Sequence, residues 1–164
     1  MHRRLALLTT LVGLALPLAG CGFRLRQPPS YGFRSLALAG FAPTSPLAAQ
    51  LRRSLVEAGV QIKPSPADAD VVLTALEDRR ERSVAASTSA GQVRELQLRL
   101  RVRLRADTPA GRALMPTVSL DLSRDLGTTE SATLAKRQEE AELYREMQAD
   151  VVAQLLRRLA AITL

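Results

Sequence analysis

The chain is poor in the side chains that most often carry out enzymatic chemistry. It contains one histidine, His2, one cysteine, Cys21, and no tryptophan. His2 lies in a segment that we predict below to be a removed signal peptide, and Cys21 is predicted to be acylated. A serine–histidine–aspartate triad, a cysteine–histidine pair and a histidine-based zinc site are therefore excluded from the rest of the chain. The sequence also has no glycine-rich phosphate loop, and its carboxylates are scattered or clustered at a helix start, not set in a facing pair. We expect no enzyme, no catalytic residue, no metal site and no cofactor.

The first 21 residues have the layout of an export signal. A basic start precedes an apolar run over residues 5–16, which is shorter than the roughly 20 residues that cross a bilayer as a helix. Leu18-Ala19-Gly20 then leads into Cys21, and this resembles a bacterial lipobox, in which the cysteine is lipidated and becomes the first mature residue. The alternative is a cleaved signal followed by a buried cysteine, although no second cysteine exists to pair with it. We predict a signal peptide over residues 1–20 and lipidation at Cys21.

The predicted mature chain has the length of one domain. Residues 21–32 include a proline pair and form a lipidated N-terminus and spacer, and residues 33–164 form the domain. Loss of Arg3 and Arg4 lowers the basic residues from 23 to 21 against 16 acidic ones, a net charge of +5. Only Lys63 and Lys136 are lysines, which reflects either a GC-rich genome or the use of arginine to bind phosphate and carboxylate. Because export removes nucleic acid as a partner, the expected anions are lipid head groups, lipopolysaccharide phosphates or an acidic protein surface.

The hydropathy pattern predicts an α+β domain. Ser45 caps a helix that Gly59 ends, and a second, long helix reaches Ile162. The start of the long helix is left open between Ser131, Thr133 and a later residue. Strands are predicted over residues 33–39, 70–82, 93–106 and 117–124, with a brief further candidate at Val60-Gln61-Ile62. These elements predict a two-layer sandwich, in which a roughly four-stranded, mostly antiparallel sheet has two helices packed on one face.

The strand at residues 93–106 has the strictest pattern in the chain. Leucine, valine and alanine alternate with charged and polar residues, which indicates one buried and one solvated face. Four arginines on the solvated face follow one another at intervals of about 6.6 Å: Arg99, Arg101, Arg103 and Arg105. Either water and salt screen these charges, or they bind anions together with Lys136.

Six short segments of the chain, taken in order, match the pattern of a known protein family. They are Cys21-Gly22-Phe23-Arg24-Leu25-Arg26, Glu57-Ala58-Gly59-Val60, Gly91-Gln92, Leu134-Ala135-Lys136, Leu143-Tyr144-Arg145-Glu146-Met147 and Gln154-Leu155-Leu156-Arg157-Arg158-Leu159. Their order, spacing and lipobox context resemble those of the LptE family of lipopolysaccharide-assembly lipoproteins.

This resemblance implies a function in the outer membrane. Members of the family plug the lumen of the β-barrel LptD, help that barrel assemble, bind lipopolysaccharide and help pass it to the outer leaflet. Lys136 falls where the family carries a basic residue linked to lipopolysaccharide contact. The second basic position of the family lies in the hairpin tip, where this chain has the uncharged residues Ser87-Thr88-Ser89-Ala90. We therefore take Lys136, with Arg99, Arg101, Arg103 and Arg105, as the candidate lipopolysaccharide-binding residues.

The expected partners are an LptD-type barrel, lipopolysaccharide and the membrane that holds the lipid anchor, and not nucleic acid. Gly22 after the cysteine is not an acidic retention signal, so we expect an outer-membrane lipoprotein that faces the periplasm and the barrel lumen. The alternative is a periplasm-facing structural or ligand-binding lipoprotein with a different partner. A plug would co-purify with a large barrel, whereas a free ligand carrier would be a monomer with a hydrophobic pocket.

Overall fold

A computed structural model describes residues 30–127 and 133–164. The predicted signal peptide, Cys21 and the helix-start candidate Ser131 lie outside these residues, and the division of the chain at residues 20 and 32 stays a prediction. The elements are, in chain order, β1 (Ser35–Ala39), α1 (Pro46–Glu57), β2 (Gln61–Lys63), a short 3-10 helix (Pro66–Asp68), β3 (Val71–Ser87), β4 (Val93–Asp107), β5 (Ala113–Gly127) and α2 (Thr133–Ala160).

The five strands of the described residues form one mixed sheet in the order β2-β1-β3-β4-β5. Strand β1 pairs in parallel with β2 and β3, whereas the much longer β3, β4 and β5 are antiparallel. The α+β class is therefore confirmed. The sheet has one strand more than the four predicted, because the short segment after α1 pairs with β1 and places Ile62 opposite Leu36.

Strands β3 and β5 are longer than their sequences predict. Residues 83–87 show no hydrophobic alternation, so the sequence did not predict them as strand. They extend β3 because their backbone groups pair with β4. Strand β5 begins at Ala113, ahead of Pro116, which was expected to precede the strand. It lies on an edge strand at a register shift opposite Leu104 and Ala106, where a missing N–H group is tolerated. The turn between β3 and β4 closes at Gly91, at the hairpin tip that was predicted.

Helix α1 has the ends that its sequence predicts. The hydroxyl of Ser45 accepts a hydrogen bond from the Ala48 N–H at 3.0 Å, and Pro46 occupies the first helical position. Gly59 follows the helix with φ of +85°, a conformation that glycine adopts without steric cost. Helix α2 spans Thr133–Ala160 and ends two residues before Ile162. Because residues 128–132 lie outside the described ranges, the choice among the predicted starts stays open.

Both helices pack on the same face of the sheet. The buried residues of α1 and α2 form one hydrophobic core with the inward residues of β4, which are at most 1% exposed. The core-facing set on β4 is Leu98, Leu100, Val102, Leu104 and Ala106. No helix of the described residues is long and apolar enough to span a membrane.

Asp70 joins the start of β1 to the start of β3. Its Oδ2 atom accepts hydrogen bonds from the N–H groups of Arg34 and Ser35, both at 2.9 Å, while the Ser35 hydroxyl accepts one from the Asp70 N–H at 3.0 Å. The Arg34 N–H is the largest cause that lowers the pKa of the Asp70 carboxyl, and hydrogen bonding to Ser35 adds to it. The ionised carboxylate is therefore the form that holds these two strands together.

Candidate functional site

The four candidate arginines project from β4 on the face of the sheet opposite the helices. This face is called the outer face below. Their side chains are between 36% and 52% exposed, and each alternates with a buried residue of the core. The strict alternation in the sequence predicted this placement because side chains of a strand point to opposite faces in turn.

Each of these arginines lies near a carboxylate, most of them on the flanking strands. Asp121 of β5 lies 3.6 Å from the Nε atom of Arg99 and 3.4 Å from that of Arg101. Glu81 of β3 lies 3.5 Å from Nη1 of Arg101. The remaining contacts are those of Arg103 with Glu77 at 3.9 Å and of Arg105 with Asp107 at 3.0 Å. The outer face therefore carries a network of exposed ion pairs rather than a row of unpaired cations.

Lys136 lies apart from the four arginines. It belongs to the first turn of α2, which is in the helix layer on the other side of the sheet. Its Nζ atom is 2.8 Å from Oε2 of Glu139, one turn further along the helix. The predicted binding residues therefore lie on two separate surfaces, with the four arginines on the outer face and Lys136 in the helix layer.

A β-bulge at Leu76 decides which residues of β3 face the helices. Before it, Ala75 is buried opposite Leu104; after it, Glu77 lies opposite Arg103 on the outer face. Leu76 is the extra residue, and the later side chains of β3 as far as Val84, where the register shifts again, are moved to the other face. As a result Asp78, Arg80 and Arg82 lie opposite Val102, Leu100 and Leu98 and face the helices.

The polar groups of these three inward side chains form hydrogen bonds with residues of the two helices or their caps. The Ser45 hydroxyl donates to Oδ2 of Asp78 at 2.6 Å. Arg80 donates from Nη2 to Oε1 of Gln148 at 2.7 Å, and its guanidinium carbon lies 5.0 Å from the centre of the Tyr144 ring. Gln148 is only 6% exposed and donates in turn to the backbone oxygen of Pro46 at 3.2 Å. Gln148 thus connects β3, α1 and α2, and its polar atoms avoid the cost of unpaired burial.

An open groove of about 550 Å³ lies between β3 and the first half of α2. We call it the β3–α2 groove, and its lining residues are Arg80, Arg82, Arg137, Glu140, Ala141 and Tyr144. Arg82 forms an ion pair with Glu140 at 3.2 Å, and the Tyr144 hydroxyl donates to the backbone oxygen of Glu81 at 2.6 Å. Burial, followed by the nearby Glu140 charge, raises the pKa of Tyr144, so its hydroxyl stays a donor at neutral pH.

The sequence analysis did not identify this groove. The helical spacing of Arg137, Ala141 and Tyr144 places them on one side of α2, so the helix side of the groove could be predicted from the sequence. The other half depends on the bulge, since an unbroken alternation after Ala75 would have turned Arg80 and Arg82 away from the helices. Within residues 30–127 and 133–164, no group of three or more metal-binding side chains occurs.

Comparison with known protein families gives the classification. The family LptE, described as lipopolysaccharide-assembly, matches residues 33–159. The chain belongs to the LptE family. This confirms the resemblance drawn from the sequence, and it makes the chain a member of a family of non-enzymatic lipopolysaccharide-assembly lipoproteins.

Three solved structures share the LptE-family fold of this chain and are lipoproteins. Lipoprotein B from Nitrosomonas europaea is 27% identical, with a TM-score of 0.69 over 85% of this chain and 91% of the other. A minor lipoprotein from Acinetobacter baumannii is 26% identical, with a TM-score of 0.65 over 80% and 94%. Rare lipoprotein B from Shewanella oneidensis is 25% identical, with a TM-score of 0.64 over 77% and 94%. No curated protein gives a significant match.

Proposed function

We propose that this protein is an outer-membrane lipoprotein that plugs an LptD-type β-barrel, helps it assemble and assists the transport of lipopolysaccharide to the outer leaflet. The observation that carries the proposal is the LptE match over residues 33–159. Cys21, as the lipidated residue, would anchor the domain from the periplasmic side, since several acyl chains together hold a protein firmly to a bilayer.

The outer face suits a position inside a barrel. Barrel lumens are polar, so a plug must present hydrogen-bonding and charged groups rather than an apolar patch. The ion-pair network of β3, β4 and β5 provides such a surface over strands of 15 to 17 residues. Its mixed charges can pair with either sign on a barrel wall.

The same surface can bind lipopolysaccharide phosphates. Exposed ion pairs contribute about 0–1 kcal/mol each, so replacement of a carboxylate by a phosphate costs Arg99 or Arg103 little. Lys136, whose single partner among the described residues is the neighbouring Glu139, can exchange it in the same way. We therefore retain the outer arginines and Lys136 as two separate points of contact for lipopolysaccharide.

Purification of the full-length protein in mild detergent tests the plug. We expect a large β-barrel to co-purify with the wild type, and Cys21→Ser to remove the protein from the outer-membrane fraction. A monomer without a barrel would favour the alternative, a ligand-binding lipoprotein with another partner. Wild-type protein in the inner membrane at steady state would contradict the localisation.

A binding assay tests the lipopolysaccharide contacts. Arg99→Ala combined with Arg103→Ala, and separately Lys136→Asp, should each weaken binding, more at low salt than at high salt. The matched control is Arg112→Ala, since Arg112 is exposed in the turn between β4 and β5 and its side chain has no ion pair within the described ranges. Unchanged affinity in all three variants would mean that these residues are solvated surface and that the lipid binds elsewhere.

A further inference from the structure

The two edges of the described sheet differ in length. Strand β2, at one edge, has three residues and runs directly into Pro64, so it offers little backbone for pairing. Strand β5, at the other edge, has 15 residues. Because strands are usually about 5–6 residues long and an exposed edge is a template for another strand, the β5 edge is the place where the described sheet can be extended.

Only the beginning of β5 carries features that discourage pairing. Pro116 lacks an N–H group, and the register with β4 shifts beside it. Residues 117–125, which we call the open edge, contain no proline, glycine or lysine. Their backbone pairs with β4, and the one further hydrogen bond to it in the described ranges runs from Nη1 of Arg124 to the Ser123 oxygen at 2.9 Å. Since alternate residues of an antiparallel strand point their N–H and C=O groups away from the partner, the open edge presents such groups to a further strand.

The side chains of the open edge that face the helices call for aliphatic neighbours. Leu120 and Leu122 lie opposite Val102 and Leu100 of β4 and pack against the core. They stay partly exposed, whereas their two partners are 1% exposed, because β4 has a strand on both sides and β5 has one on a single side. Aliphatic side chains at alternate positions of an added strand would bury the two leucines.

The side chains of the open edge on the outer face call for cations. Its charged residues on that face are Asp121 and Asp125, since Arg124 faces the helices and lies 3.5 Å from Asp150 of α2. Asp121 is 55% exposed even with two arginines of β4 on its other side. Asp125 is exposed and has no ion pair or hydrogen bond with any residue in the described ranges. Strand β4 already meets β5 with alternating aliphatic residues and arginines, and a strand on the open edge would need the same alternation.

We propose that the open edge binds an extended segment of another polypeptide in which aliphatic residues alternate with basic ones. The aliphatic side chains cover Leu120 and Leu122, and the basic side chains lie beside Asp121 and Asp125. Backbone hydrogen bonds provide the affinity, and the alternation provides the specificity. This interface goes beyond the proposed function, which assigns no partner strand to the edge of the sheet, and its test needs no barrel.

Hydrogen exchange followed by NMR tests the interface in the lipidated full-length protein, held in phosphatidylcholine nanodiscs. The probe is the peptide Leu-Arg-Leu-Arg-Val-Arg-Leu, which copies residues 98–104 of β4. We expect the peptide to protect every second amide of the open edge, those that point away from β4 and exchange freely without it. The same peptide with all its backbone nitrogens methylated keeps the side chains but cannot donate to the edge, so it should give no protection.

A pair of charge variants tests the position of the peptide. Asp125→Lys should weaken the affinity of a fluorescent peptide about fivefold or more, with a larger effect at low salt. The matched control is Asp68→Lys, the same change in the exposed 3-10 helix next to β2 at the opposite edge, and it should bind like the wild type. Both residues are exposed, so both variants should fold normally by circular dichroism.

Three results would overturn the proposal. They are equal affinity in Asp125→Lys and the wild type, equal protection by the methylated peptide, and protection that is absent from the open edge. Protection of the same amides without any peptide, rising with protein concentration together with a doubled mass, would overturn the stated partner and indicate a second copy of this chain.

Discussion

Replacement of Ser45 with alanine removes two interactions at once. The Ser45 hydroxyl accepts from the Ala48 N–H at 3.0 Å and donates to the Asp78 carboxylate at 2.6 Å, and Ser45 is 7% exposed. Loss of a serine cap costs about 0.5–2 kcal/mol, and loss of a hydrogen bond to a charged group about 1.5–3 kcal/mol. We therefore expect the free energy of unfolding to fall by about 2–5 kcal/mol, a large part of the 5–15 kcal/mol that is typical of a domain.

Urea unfolding followed by circular dichroism measures this loss. The matched control is Ser65→Ala, because Ser65 also precedes a proline and caps a helix, but only the three residues of Pro66–Asp68, through one bond of 3.3 Å to Ala67. We expect the control to cost less than about 1 kcal/mol. A double-mutant cycle with Asp78→Ala isolates the bond to the carboxylate, with a coupling of about 1–3 kcal/mol. A coupling below about 0.5 kcal/mol, or equal losses at the two serines, would refute the reasoning.

Three further predictions concern the core, a pH effect and the groove. Leu100→Ala, at a site 1% exposed, should lower the free energy of unfolding by about 2–5 kcal/mol, whereas Arg101→Ala on the outer face should cost about 1 kcal/mol or less; equal losses in urea melts would mean that the faces of β4 are misassigned. Because the pKa of Asp70 is lowered in the folded state, its stabilisation is complete above the ordinary value of 3.8 and is lost as the pH falls through the lower folded value. Asp70→Asn should therefore flatten the acid limb of a stability–pH profile, and an unchanged limb would contradict the assignment. Tyr144→Phe should lower the free energy of unfolding by about 1–2 kcal/mol, because the backbone oxygen of Glu81 loses its donor. If hydrogen exchange shows lost amide protection only in α2, the effect is local to the helix and is not a general core defect.

Features that depend on neighbouring residues in the chain were predictable from the sequence. The start of α1 at Ser45, its end at Gly59 and the alternation of β4 follow from local rules of capping and of strand geometry. The two-layer α+β arrangement then followed, because one apolar face per strand and one stripe per helix allow few alternatives.

Features that depend on register were not predictable. The extra residue at Leu76 leaves no mark in the sequence, and it alone turns Arg80 towards the helices. The carboxylates beside Arg99, Arg101 and Arg103 belong to β3 and β5, so their positions follow from two strand registers at once. Lys136 was chosen on the family resemblance and combined with the arginines, although the predicted packing of both helices on the apolar face of the sheet already placed its helix opposite the arginines.

The uneven burial along α2 has a consequence for its local stability. From Leu134 to Leu143 no residue of the helix is buried, whereas Tyr144 and seven later positions in the helix and just after it are: Met147, Gln148, Val151, Val152, Leu155, Leu159 and Ile162. Helix segments without buried apolar contacts open with a small free energy, while packed segments open only when the domain unfolds. Amide hydrogens should therefore exchange with solvent within the first ten residues long before those near Val151 and Leu155. The beginning of α2 can separate from β3 and close again while its second half keeps the domain folded.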